Sequence, residues 1–123
     1  MRGFGDLEAA IMDRLWNRGT PATVREVLTD LRPERDLAYN TVLTVVDNLF
    51  KKGWLRREPQ GRAFRYSPTV SRQEYGARRM RDALDGAGDP TETLVAFVEQ
   101  MSAAEAAALR AALDGHQQRR SRR

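Results

Sequence analysis

A mostly helical α+β fold, with one small hairpin set among the helices, is predicted by three observations. Apolar residues recur at helical spacing in separate stretches along the chain. The Ser/Thr-x-x-Glu pattern that caps helix starts occurs at Thr23–Glu26, Ser71–Glu74 and Ser102–Glu105. Between Trp54 and Tyr66 the pattern leaves the helical period and alternates around a turn at Pro59-Gln60-Gly61. With 123 residues, 41% hydrophobic and 31% charged, the chain has the composition of a soluble globular protein of one or two small domains.

Asp6 reads as an N-cap for a first helix carrying Leu7, Ile11, Leu15 and Trp16, which ends near Asn17-Arg18-Gly19. Thr23 and Glu26 start a short second helix with Val24, Val27, Leu28 and Leu31 for the core, and Pro33 ends it. After a loop from Glu34 to Ala38 a third helix begins at Tyr39. On a helical wheel Val42, Val45, Val46, Leu49 and Phe50 share one side, and Asn40, Thr41, Thr44, Asp47, Asn48 and Lys51 the other. Gly53 stops it as a left-handed cap, and a short strand, turn and strand follow until Ser67-Pro68.

Helix, helix, helix, hairpin is the order of a winged helix-turn-helix. Asn and Thr on the third helix have donors and acceptors suited to base edges and phosphates. Between Lys51 and Arg65 six basic residues (Lys51, Lys52, Arg56, Arg57, Arg62, Arg65) face one acid, Glu58, a local balance of +5 in a chain of +4. A basic hairpin also serves as simple edge protection, but the polar helix beside it favours DNA.

From Ser71 a helix runs through Tyr75, Met80, Ala83 and Leu84 to the break at Gly86-Ala-Gly88. Asp89 and Pro90 start the next, with Leu94, Val95, Phe97, Val98 and Met101 on its apolar side, and Ser102 starts a last one through Leu109 and Leu113 to Gly115. These three helices carry too little apolar surface for an independent core. Completion by a second copy of the chain is favoured over folding back on the first domain. The expected division is a winged-helix domain over 1–69, a helical dimerisation domain over 70–116 and a disordered basic tail over 117–123.

Several classes are excluded. Without cysteine there is no disulfide framework or thiolate metal site, and a single histidine, His116, read as a solvated tail residue, leaves no catalytic triad and no His-rich metal site. No cofactor and no catalytic residue is expected. No apolar run reaches the roughly 20 residues of a membrane span, and Asp6 and Glu8 near Met1 do not fit a secretory leader, so a cytoplasmic protein without membrane insertion is expected. The pI near 10.1 owes part of its value to Arg119, Arg120, Arg122 and Arg123, which either bind phosphate weakly or do nothing.

Three separated motifs, Gly5 to Trp16, Ala38 to Gly53 and Gly61 to Pro68, together resemble the penicillinase-repressor family of BlaI/MecI transcriptional regulators, and the likeness extends to Leu94–Glu99. The resemblance implies a winged-helix repressor without enzymatic activity. Such repressors dimerise through C-terminal helices and bind inverted-repeat operators of antibiotic-response genes, here expected among β-lactam or cell-envelope stress genes. It also implies an inducible release, in which a membrane metallopeptidase sensor switched on by a β-lactam leads to cleavage in the arm. By analogy the cut falls between Ala96 and Phe97, although staphylococcal members carry Asn-Phe and here the Asn is Ala96. Phe97 otherwise reads as a core residue of the arm. Asn48 is a second departure, since many members carry Arg there.

The DNA-binding set is thus Tyr39, Asn40, Thr41, Thr44, Asn48, Lys51, Lys52, Arg62 and Arg65, and the dimerisation set Leu84, Leu94, Phe97, Val98, Met101, Leu109 and Leu113. Asn40, Thr41 and Thr44 lie toward the helix start, where bases are approached; the Lys and Arg residues hold phosphates or reach a minor groove. Two rivals stay open: a winged-helix adaptor for protein contact, which should present an apolar anchor on the outer side of its helix, and a repressor released by a small ligand.

Overall fold

The computed structural model describes residues 3–122, so that Met1, Arg2 and, at the basic tail, Arg123 lie outside the described residues. The order is α1 (Asp6–Arg18), α2 (Val24–Leu31), α3 (Tyr39–Lys51), β1 (Leu55–Gln60), β2 (Ala63–Pro68), α4 (Arg72–Asp85), α5 (Pro90–Glu99) and α6 (Ala103–Ser121). Two compact units divide between Arg79 and Met80.

Local chemistry sets the helix ends. Gly5, not Asp6, is the N-cap of α1. The Glu8 carboxylate accepts from the Gly5 N–H at 3.0 Å, and Asp6 moves into the first turn, where its charge suits the helix dipole. Gly19 closes α1 with φ +69°, the left-handed conformation expected of a glycine cap. At α2 the reciprocal box forms: Glu26 N–H donates to Thr23 Oγ1 at 3.1 Å and Thr23 N–H to Glu26 Oε1 at 3.0 Å. Gly53 takes φ +88° directly after α3, as its position predicts.

The hairpin turns later than the sequence pattern suggests. Pro59 and Gln60 belong to β1, the register pairs Gln60 with Ala63, and the turn is Gly61-Arg62. Gly61 has φ +59° and no described non-glycine residue has positive φ, the pattern of a two-residue type II′ connection. A further pairing joins this hairpin to the helices: Ala22 N–H donates to Tyr66 O at 3.0 Å and Tyr66 N–H to Ala22 O at 2.8 Å. A lone alanine between Pro21 and a cap leaves no periodic signal from which to foresee it.

The core of the first unit is filled by Ile11, Met12 and Leu15 from α1, Val27, Leu28 and Leu31 from α2, Val42, Val46 and Leu49 from α3, and Leu55 and Tyr66 from the hairpin. Val45 and Phe50 pack against it half-buried. The unit continues past residue 69, because the start of α4 is built into it. The Tyr75 ring stacks on Phe4 at 4.2 Å and 5°, meets Trp54 edge-on at 5.4 Å, and its hydroxyl accepts from the Phe4 N–H at 2.9 Å. Arg72 adds a bond to Asn17 Oδ1 at 3.0 Å.

In the second unit α5 starts on Asp89, whose side chain accepts from the Thr91 and Glu92 N–H groups, with Pro90 in its first turn. Ser102 and Glu105 form a complete box for α6. That helix does not end at Gly115 or His116 but runs to Ser121. One glycine costs a helix only about 1 kcal/mol, and the Gln and Arg residues that follow are good helix formers, with Arg119 and Arg120 well placed at the negative end of the dipole. None of the residues of α4, α5 or α6 is buried.

Candidate nucleic-acid interface

The core side of α3 fixes its outer side. With Val42, Val46 and Leu49 at 0–1% exposure, Asn40, Thr41, Thr44, Asn48 and Lys51 are turned outward and exposed. Thr44 Oγ1 donates to Asn40 O at 2.9 Å, which fixes the hydroxyl and leaves its methyl group and an acceptor free for a ligand. Leu43 is also on this surface, 37% exposed, an apolar residue to which the helical wheel gives no role. It supplies the kind of outer apolar group that a protein adaptor would need, but a single leucine among Asn and Thr equally suits a thymine methyl.

Tyr39 is half-buried, and the Arg25 guanidinium of α2 lies 4.7 Å above its ring. Arg25 thereby joins the N-terminal end of α3, a cation hidden from sequence reasoning because it sits on a helix whose pattern speaks only of its core.

The basic residues divide by partner. Lys51 pairs with Asp47 one turn earlier at 2.9 Å, and Lys52 reaches Glu8 of α1 at 3.0 Å. Both remain largely exposed, and exposed pairs of this kind are worth about 0–1 kcal/mol, so a phosphate competes with them readily. Arg56 Nε donates to Ser67 Oγ at 3.2 Å. Arg62 stands at the hairpin tip, exposed and without an ion pair among the described residues. Arg65 is half-buried and turned to α2, with Nη2 3.5 Å from Glu26 Oε1, and Glu26 in turn meets Arg18 at 3.0 Å. Asn40, Thr41, Thr44, Asn48 and Lys51 therefore share one face, Arg62 extends from the wing, and Arg65 and Lys52 are tied to neighbouring helices.

Two acids around this surface are held below the usual carboxylate value of 4.5. For Glu8 the main cause is the Gly5 N–H, followed by the Lys52 ammonium; for Glu26 it is the Thr23 N–H, with the Thr23 hydroxyl, Arg18 and Arg65 adding to it. Both stay ionised at neutral pH and hold Lys52 and Arg65 in position.

The residues assigned to the arm are spread over the second unit. Leu94, Phe97, Val98 and Leu113 are 44–59% exposed, while Leu84, Met101 and Leu109 are half-buried. Ala96 and Phe97 lie inside α5, in hydrogen-bonded helical backbone. No helix among the described residues is long and apolar enough to cross a membrane.

Known proteins resemble this chain in sequence and fold. The sequence profile of the penicillinase repressor family matches residues 4–115. The transcriptional regulator BlaI of Mycobacterium tuberculosis is 48% identical over 113 residues, covering 89% of this chain and 82% of that protein. Among solved structures, the DNA-binding domain of the repressor BlaI aligns at a TM-score of 0.52 and 27% identity, over 61% of this chain and 94% of that one. Bacillus licheniformis BlaI, solved as a monomeric form in complex with the blaP half-operator, aligns at 0.50 and 27%, over 60% of this chain and 89% of that one. The wing, the polar outer side of α3 and these matches agree: the chain belongs to the penicillinase repressor family and is a DNA-binding transcriptional repressor, not an enzyme.

Proposed function

We propose that two copies of the chain, joined through the helices after Met80, bind an inverted-repeat operator with α3 of each copy in the major groove and the hairpin along the backbone. The observation that carries the dimer is the second unit itself: its helices bury no residue and leave Leu94, Val95, Phe97 and Val98 each at least 44% exposed, a cluster of apolar side chains on one short helix of the kind that marks a protein contact. The half-operator bound by the monomeric form of Bacillus licheniformis BlaI supports an operator composed of two halves. A single winged domain reads too few base pairs to find one site in a genome, and two joined domains remove that difficulty.

Within each half-site Asn40, Thr41 and Thr44 read bases, and Tyr39, Asn48, Lys51, Lys52 and Arg62 hold the phosphates near them. Arg65 contributes through its hold on α2. The repressor acts on genes of β-lactam or cell-envelope stress in the cytoplasm. Release follows cutting at Ala96–Phe97 by a membrane metallopeptidase sensor, which requires α5 to unwind at that point first, because its backbone is helical there.

Selection from a pool of random duplexes tests this reading. An enriched inverted repeat carrying two chains is the expected outcome. Binding without any sequence preference at moderate salt would leave the specific-repressor reading without support.

A further inference from the structure

We propose that Arg57 is a positioning residue that locks the wing to the recognition helix, so that the hairpin and α3 meet one stretch of DNA as a single rigid surface. By sequence Arg57 is one more basic residue of the hairpin, but its guanidinium does not face outward. Its Cζ lies 4.0 Å from the Phe50 ring centroid on α3 and 4.1 Å from that of Phe64 on β2. Aromatic rings attract a cation at these distances, and more strongly where water is partly excluded. The side chain is 31% exposed, and Nη1 lies 3.9 Å from Asp47 Oδ1.

The clasp is part of a larger contact. Both Phe50 and Phe64 meet the buried Tyr66 edge-on at 6.5 Å, and Arg57 stands opposite Tyr66 in the hairpin register. Tyr66 is held to the helices by its two main-chain bonds to Ala22, so the root of the wing is fixed there and the guanidinium fixes its face. Arg57 also answers an electrostatic difficulty. Asp47 lies on α3 beside the outer side, where a carboxylate would repel phosphates, and Arg57 and Lys51 together compensate it. Lysine cannot substitute, because only the planar guanidinium stacks on both rings while offering an edge to the carboxylate.

The proposal rests on the operator-binding reading above, and its test separates the two. Full-length chains are titrated with the selected operator in a double-mutant cycle of Arg57→Lys and Arg62→Ala. If the clasp positions the wing, Arg57→Lys weakens operator binding about tenfold although the charge is kept, and Arg62→Ala, costly alone, then adds less than about twofold because the tip no longer reaches its phosphate. Additive losses, or full rescue by lysine, would make Arg57 an independent phosphate contact and overturn the proposal. Wild-type chain that fails to bind the operator would count against the operator reading instead. A second measurement needs no DNA. Hydrogen exchange of the hairpin amides in the free chain should speed up by about tenfold in both Arg57→Lys and Phe64→Leu, with α1 unchanged. Unaltered exchange in both variants would overturn the clasp.

Discussion

At the scale of single residues, side chains on the same basic and polar surface have different tasks under the proposed operator binding, and substitutions should separate them. Asn40→Ala is expected to weaken binding to the selected operator by about 1–3 kcal/mol and to leave random DNA nearly unaffected. Arg62→Ala should weaken both alike and lower the slope of log affinity against log salt by about 1, read from titrations at several salt concentrations. Equal losses on both DNAs for Asn40→Ala would mean that α3 is turned differently in the groove. The outward Asn and Thr residues were legible from the helical wheel because burial of Val42, Val46 and Leu49 leaves them one direction to point. The partners of the cations were not. Arg65 and Glu26 are 39 positions apart, and no local rule of spacing brings them together.

Elements are joined here by contacts that start from local rules and finish with long-range ones. Glu26 shows both: it completes the cap of α2 and then reaches Arg18 and Arg65. Its folded pKa, like that of Glu8, lies below 4.5, so the unfolded chain takes up protons first as pH falls. Their contribution is fully present above about 4.5 and is lost as pH drops through the folded values. Denaturant midpoints measured from neutral pH downward should therefore stay flat for these groups until that region and then fall, and Glu26→Gln should reduce the acid-side loss. The capping boxes of α2 and α6 were readable because each closes within three residues; at Ser71 only half of the predicted box forms, with the Glu74 N–H donating to Ser71 Oγ at 3.0 Å and the Glu74 carboxylate accepting from the Ser71 hydroxyl instead of its N–H. The seat of α4 was not readable: Tyr75 and Phe4 are 71 positions apart. Tyr75→Ala should cost about 2 kcal/mol in a denaturant titration, through the lost ring contacts and the unpaired Phe4 amide.

For the whole molecule, the chain combines a unit with a filled core and a unit without one. The shortage of apolar residues after Ser71 was visible in the sequence, but that Leu94, Val95, Phe97, Val98 and Leu113 are all left exposed was not, because periodicity gives a helix an apolar side without saying what covers it. If a second copy covers that surface, Phe97→Asp should weaken self-association by roughly tenfold or more in sedimentation runs, since a charge would enter an apolar contact. The most direct measurement compares the selected inverted repeat with one of its half-sites, recording both affinity and the mass of the complex. Two chains on the full repeat, bound at least about tenfold more tightly than the half-site, is the result expected of a repressor joined through its second unit. One chain per duplex, with equal affinity for the repeat and the half-site, would contradict it.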